Sequence, residues 1–210
     1  MRSDVERVFL RLLCHFGPQG WWPRIWKGGN FRDEVVIGAV LTQGTLWKNV
    51  ERALRNLEEA GIGNLKSLAT TPDNLLHSLL RPAVYVRRKV RTLRELSSLL
   101  SSVDVPGRED LLKVYGIGEE TADVILLYAY DVPTFVLDNY TRRWAQRFFG
   151  RRMRDGELRN LLYLNGDLYY LKEMHALLDE LGKRYCGPKP RCESCPLRRW
   201  CRHFKGGPPS

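Results

Sequence analysis

Residues 111–129, LLKVYGIGEETADVILLYA, decide how the rest of the chain is read. An apolar helical stretch runs up to Tyr115, Gly116-Ile117-Gly118 interrupts it, and a second helical stretch starts near Glu119. Two glycines permit a tight turn at positive φ with no side chain over the backbone, so its N–H groups can approach a phosphate. The helix opening at Glu119 adds N-terminal donors of its own. Taken alone, such a turn reads first as a plain helix–helix connection. Its setting favours the phosphate: an apolar helix before it, Thr121-Ala122 directly after, and basic clusters along the flanking sequence.

Helical periodicity continues outward from this segment. Val5, Val8, Phe9, Leu12 and Leu13 share one helical face, and Val35, Val36, Ala39 and Val40 start a more buried helix. The pattern resumes at Val50, Ala53, Leu54 and Leu57 after a break at Gln43 and Gly44. Residues 86–100, VRRKVRTLRELSSLL, read as an amphipathic helix with its basic residues on the wet side. Gly61 and Gly63, Thr71-Pro72, Arg81-Pro82 and Pro106-Gly107 mark short connections. The best strand candidate is TFVLD at 134–138, flanked by helices. The fold class is therefore all-α, and the terminal GGPPS is expected to fray.

The formal net charge is +10, and the excess is clustered. Arg81, Arg87, Arg88, Lys89, Arg91 and Arg94 form one group; Arg142, Arg143, Arg147, Arg151, Arg152 and Arg154 form a second. A third runs from Lys183 to Lys205, opposed there only by Glu193. Such groups neutralise phosphates or form a solvated basic surface; the first reading calls for a nucleic-acid partner. Hydrophobic residues at 43% against 28% charged exclude a disordered chain. The opening MRSDVERVFLRLLCHF mixes charge into its apolar residues, unlike a signal peptide. No apolar run approaches the ~18 residues of a membrane span. The expectation is a cytoplasmic protein without structural disulfides.

Cys186, Cys192, Cys195 and Cys201 follow the spacing C-x5-C-x2-C-x5-C, which reads as a metal-ligand set. Zinc usually takes two close cysteine pairs, and only the central pair is close here. A cubane iron–sulfur cluster also takes four thiolates and accepts wider loops. Spacing leaves both open. Four sulfur ligands leave no vacant position, so either metal would be structural. Cys14 reads as a small apolar helix residue. In VLDNYTRRW, residues 136–144, Asp138 precedes a helical pattern. It is there as an N-cap or as a carboxylate at the mouth of a DNA-binding cleft.

The motifs LTQGT (41–45), RPAVYVRRK (81–89), VYGIGEETAD (114–123), VLDNYTRR (136–143) and the terminal cysteine array occur in one order. In that order the chain resembles the helix–hairpin–helix (HhH-GPD) DNA glycosylases of the endonuclease III family. The first cysteine spacer has five residues where the family usually has six. The resemblance implies a six-helix domain at 29–134, and a second domain from 1–28 plus 135–210 that carries a 4Fe–4S cluster loop at 186–201, with a cleft between the two. It implies that Gly116, Ile117, Gly118 and Thr121 grip the DNA backbone. Asp138 would be the essential carboxylate, and Gln43 and Tyr85 would fill or wedge the stack when a base is flipped. The implied partner is double-stranded DNA carrying a damaged base, met by a monomer at the nucleoid.

Bifunctional members carry lysine two positions after the second glycine, where this chain has Glu120. A lysine amine can attack the sugar C1′ and form an imine, which a carboxylate cannot. The expectation is base excision without strand cleavage, although Glu120 is equally an exposed first-turn carboxylate favouring the helix dipole. Within the family the chain looks most like the 3-methyladenine branch, on Trp21-Trp22-Pro23, Trp47 and Glu120. An aromatic sandwich of Trp22 and Trp47 beside Pro23 could select a cationic N-alkylated purine by stacking, with Glu120 adding attraction; both tryptophans are otherwise core residues. The alternatives are excision of uracil or thymine from mismatches, and a non-catalytic DNA-binding module.

Overall fold

The computed structural model describes residues 1–205; the terminal GGPPS lies outside them. No strand occurs among the described residues, in line with the all-α reading. The chain divides into two compact units, Met1–Trp21 with Pro133–Ser210, and Trp22–Val132.

Helix α1 (Arg2–Phe16) opens the first unit with Val5, Val8 and Leu12 turned inward. The second unit is built around α2 (Phe31–Thr42), in which every residue from Glu34 to Leu41 is buried. A helix without a wet stripe must be wrapped on all sides. Its wrapping is α3 (Trp47–Glu59), α6 (Val86–Ser101), α8 (Glu119–Val124) and the wide π turn Ile125–Ala129 that prolongs α8. Two short helices, α4 (Leu65–Thr70) and α5 (Asp73–Leu79), pack on α6, and α7 (Arg108–Lys113) packs on α8.

Glu34 is the polar exception inside α2, with 0% exposure. Its Oε1 accepts from the Ile25 N–H at 2.5 Å and its Oε2 from the Trp26 N–H at 3.2 Å. Burial raises its pKa, and the two N–H donors and Arg24 work against that rise. Trp26 completes the anchor: its indole Nε1 donates to Leu54 O at 2.8 Å. The irregular stretch before α2 therefore has its backbone donors satisfied from the helix it precedes.

Chain direction returns to the first unit with α9 (Asn139–Phe149), α10 (Asp155–Tyr163), α11 (Leu168–Arg184) and the short α12 (Arg202–Lys205). The most buried of these is α11, which packs on α9 and α1. It too carries an inward glutamate: Glu173 accepts from the Gln19 and Gly20 N–H groups, both at 2.7 Å. TFVLD forms no strand and runs without regular secondary structure into the Asp138 cap. Arg159 donates to Phe135 O and Arg142 to Leu137 O, both at 2.6 Å, so side chains take the carbonyls that a neighbouring strand would take.

Removing Glu34 orphans two buried donors and leaves a cavity. Glu34→Ala is expected to cost about 3 kcal/mol of unfolding free energy. Glu34→Gln, whose amide offers one acceptor oxygen in place of two, should cost roughly half of that. Urea titration of the three proteins checks the order.

Candidate functional site

Within the Trp22–Val132 unit the hairpin needs one left-handed residue. Gly116 has φ +80°, and a Cβ there would sit 2.7 Å from Thr92 Oγ1. Gly118 is extended, with φ −101° and ψ 176°, and serves as the N-cap of α8 with open space where a Cβ would go. Ile117 is buried, and its N–H donates to Val114 O, so this residue anchors the turn from within. From the end of α2, Gln43 Nε2 donates to Gly116 O and to Thr121 Oγ1, each at 3.0 Å. Thus Gln43, Gly116 and Thr121, picked out separately in the sequence, form one hydrogen-bonded group. Glu120 stands in the first turn of α8 on its exposed side.

Tyr85 is 69% exposed and left-handed at φ +48°, directly after Val84 at φ +40°. Two successive non-glycine residues in that region store strain of order 1–3 kcal/mol each, which surrounding structure must hold. Lys89, expected on the wet face of its helix, is buried. Its amine donates to Leu41 O, Thr45 Oγ1 and Ala83 O, beneath the Tyr85 turn. The signal was present: Lys89 has helical spacing with Val86, Val90 and Leu93, the apolar face of α6.

Trp22 and Trp47 come together, but not as a sandwich. Their ring centroids are 5.2 Å apart and their planes 80° apart, an edge-to-face contact with no parallel gap for a base. Tyr128 joins them at 5.8 Å from Trp22. The orientation is set by α2, where a Cβ on Gly38 would lie 2.9 Å from Trp22 Cζ2. Trp22 is 9% exposed; Trp47 and Pro23 are half-buried.

In the other unit, Asp138 takes the helix-capping role that its position allows. It is the N-cap of α9, with Oδ1 accepting from the Thr141 N–H at 2.7 Å. Its Oδ2 lies 3.9 Å from Nε2 of His175, a residue of α11. Burial holds the His175 pKa down; Asp138 and Asp179 pull it up and Lys183 pushes it further down. The imidazole is therefore neutral at pH 7. Asp179 and Lys183, one and two turns further along α11, pair at 2.5 Å, and Trp21 presents its ring edge-on to His175 at 5.8 Å. His175 gave no sequence signal beyond being a histidine on an apolar helix.

The four cysteines line one hollow with Trp144, Phe148 and Leu181. Burial pushes the Cys195 thiol up to about 11, with the neighbouring sulfurs adding to the shift, and raises Cys192 and Cys201 as well. Four thiolates in such a hollow call for a cationic centre. Arg147 donates to Cys186 Sγ at 3.4 Å and to Gly187 O at 2.7 Å, while Arg143 donates to Cys186 O at 2.7 Å. Among the described residues no group of three or more His, Cys, Asp or Glu side chains converges to hold a single metal ion. The donor set is all-thiolate, with Arg143 and Arg147 beside it, a chemistry that fits an iron–sulfur cluster.

Several arginines of the basic clusters are thus engaged internally. Besides Arg143 and Arg147, Arg142 pairs with Asp155 at 2.7 Å and Arg151 pairs with Glu157. Lys183 and Arg184 are paired with carboxylates one turn earlier, Asp179 and Glu180. Lys189, Arg191, Arg199 and Arg202 remain exposed around the cysteine loop.

The family model of the HhH-GPD superfamily base excision DNA repair proteins matches residues 37–162, which include the hairpin and Asp138. A Methanocaldococcus jannaschii protein, provisionally described as a DNA repair glycosylase, is 34% identical over 94% of this chain and 95% of its own. Among solved structures, an endonuclease III–DNA covalent intermediate superposes with a TM-score of 0.79, covering 98% of both chains at 22% identity, a likeness of fold. The H. pylori 3-methyladenine DNA glycosylase bound to 1,N6-ethenoadenine superposes with a TM-score of 0.69 at 28% identity, covering 87% of this chain and 95% of that one.

The two hairpin glycines should respond differently to a methyl group. Gly116→Ala is expected to cost about 2–3 kcal/mol, from left-handed strain and the contact with Thr92. Gly118→Ala should stay within about 0.5 kcal/mol. Chemical denaturation of both variants measures the difference.

Proposed function

Because the chain belongs to the HhH-GPD superfamily of base excision DNA repair proteins and is a DNA glycosylase that hydrolyses N-glycosyl bonds, we propose that it is monofunctional, works through Asp138 and releases alkylated purines such as 3-methyladenine from double-stranded DNA. The observation that carries this reading is the pair of carboxylates, Asp138 fixed at its helix cap and Glu120 in the hairpin helix where a lyase has its lysine. As the N-glycosyl bond breaks, its electron pair passes to the base nitrogen and cancels the positive charge of the alkylated ring. The sugar is left as an oxocarbenium-like cation, which Asp138 stabilises electrostatically. Water adds to C1′ and gives up a proton to the carboxylate, leaving an abasic site.

Gln43 and Tyr85 enter the stack in this reading, and Gly116, Gly118 and the first turn of α8 meet the phosphates while Ile117 and Thr121 hold the turn. For the substrate, support comes from the likeness to the H. pylori 3-methyladenine enzyme and from the Trp22, Trp47 and Tyr128 cluster. The edge-to-face contact replaces the sandwich: the half-buried Trp47 ring offers the stacking face, and Trp22 with Pro23 backs it. Glu120 adds attraction for a cationic base. Cys186, Cys192, Cys195 and Cys201 hold a 4Fe–4S cluster, which when bound braces the loop that displays Arg191 and Arg199. The protein acts as a monomer, in the cytoplasm at the nucleoid.

Asn caps a helix about as well as Asp, so Asp138→Asn should melt within a few degrees of the parent. Base release should nonetheless fall roughly 10³-fold, within the range for a lost general base. Single-turnover release from methylated DNA, set beside U·G and T·G duplexes, tests the substrate; equal or greater release from the mismatches would overturn the alkylpurine reading. Borohydride should trap no covalent DNA complex, and a trapped complex would end the monofunctional one.

Protein purified without oxygen should be brown and hold about four irons per chain, as a cubane on four thiolates requires. Cys195→Ala should lose the iron. A colourless protein with one zinc contradicts the cluster.

A further inference from the structure

Lys89 lies on the inner face of α6 and is 3% exposed. Its Nζ donates to Leu41 O at 2.8 Å, to Thr45 Oγ1 at 2.9 Å and to Ala83 O at 2.6 Å. The two carbonyls can only accept. The Thr45 hydroxyl directs its own proton to Ala83 O at 2.9 Å or Gln43 O at 3.3 Å, so toward Lys89 it also accepts. Three acceptors thus meet the three donors of an ammonium group. A neutral amine has two N–H bonds and would turn a lone pair toward an oxygen.

The three acceptors have a pattern. Leu41 stands two residues before Gln43 and Thr45 two after it, so Lys89 grips the Gln43 turn from both sides. Ala83 immediately precedes the left-handed pair Val84 and Tyr85. Gln43 in turn holds the hairpin through Gly116 O and Thr121 Oγ1. One buried cation therefore ties the turn that carries Gln43 to the turn that carries Tyr85.

We propose that Lys89 is a positioning residue for base eversion: its protonated amine locks the Gln43 turn to the Tyr85 turn, and deprotonation releases them. This rests on the reading of Gln43 and Tyr85 as the residues that enter the DNA stack. Burial lowers the Lys89 pKa from the ordinary lysine value to about 8, so the locked form gives way just above neutral pH. The effect on stability has the opposite sign. Between pH 8 and the ordinary lysine range the unfolded chain holds more protons at this site than the folded one, so this contribution raises stability as pH rises. Loss of eversion above pH 8 is thereby separable from unfolding.

The test uses a duplex with 2-aminopurine opposite a tetrahydrofuran abasic analogue, which no glycosylase can hydrolyse. Its fluorescence at saturating enzyme, from pH 6.5 to 9.5, reads unstacking. Wild-type signal should fall with a midpoint near pH 8 while the melting temperature holds or rises over the same interval. Lys89→Met should give at least five-fold less signal, flat with pH, with its Kd for undamaged duplex within two-fold of wild type at pH 7. Full, pH-independent signal from a folded Lys89→Met protein overturns the proposal. If that variant does not fold, the wild-type profile decides: a flat profile to pH 9.5 overturns it equally. Tyr85→Ala separates the two levels. If Tyr85→Ala loses the signal and Lys89→Met keeps it, only the lock fails; if Tyr85→Ala keeps it, the wedge reading fails and takes the lock with it.

Discussion

Residues 17–30 carry the chain from one unit into the other without a helix, and two buried glutamates hold them. An irregular segment cannot satisfy its own N–H groups, so something must accept from them. Glu173 in α11 accepts from Gln19 and Gly20, and Glu34 in α2 accepts from Ile25 and Trp26. Each glutamate interrupts the most apolar helix of its unit, and each takes two consecutive backbone donors. Between the two anchors lie Trp21 and Trp22. Trp21 is thereby placed edge-on to His175, the neighbour of Asp138, while Trp22 is placed against Gly38, Trp47 and Tyr128. The two tryptophans, one beside the candidate carboxylate's neighbour and one in the candidate base pocket, are thus flanked by backbone turns that buried glutamates hold.

A similar economy governs the basic residues. A net charge of +10 suggests a surface made for phosphate, yet many of the cations satisfy the protein's own carbonyls and sulfurs. Arg142 and Arg159 terminate the extended stretch before Asp138, and Arg143 and Arg147 hold the cysteine loop. Guanidinium suits this work because its planar donors reach several acceptors at once and stay charged when half-buried. Lys89 is the costlier solution, a compact cation wholly inside. The freely exposed basic surface is consequently narrower than the composition suggests, with Lys189, Arg191, Arg199 and Arg202 its clearest members in the first unit.

Local pattern carried much of this into the sequence. The unbroken burial of α2 is written in VVIGAVL, the turn at Gly116 in its glycine, and the cap at Asp138 in the aspartate before a helical run. Ligand type for the cysteines is equally local, since four thiols in sixteen positions have few other uses. What stayed hidden depends on partners distant in the chain. The Trp22–Trp47 angle is decided by the missing side chain at Gly38, and the inward engagement of Arg147 by the Gly187 carbonyl forty residues further on. TFVLD has β-forming residues, but strands need neighbours, and arginines took the carbonyls first. Lys89 was misplaced for a different reason: composition grouped it with Arg87 and Arg88, whereas its spacing from Val86, Val90 and Leu93 already put it on the buried face.

The setting of Asp138 shows how closely the local charges must be balanced. A helix N-terminus carries roughly half a positive charge, which works against any cation forming nearby. The capping carboxylate contributes a full negative charge, leaving about half a unit to favour an oxocarbenium-like sugar. A protonated His175 at 3.9 Å from Oδ2 would reverse that balance. Burial prevents this by keeping the imidazole neutral, and the Asp179–Lys183 pair beyond it adds almost no net charge. The cap bond to Thr141 then acquires a second meaning. It fixes Oδ1 and orients the carboxylate, so that in the proposed reaction Oδ2 would need no reorganisation as charge develops on the sugar. The N-cap and the proposed catalytic role of Asp138 are therefore compatible, because the hydrogen bond that stabilises α9 would also preorganise the charge in that reaction.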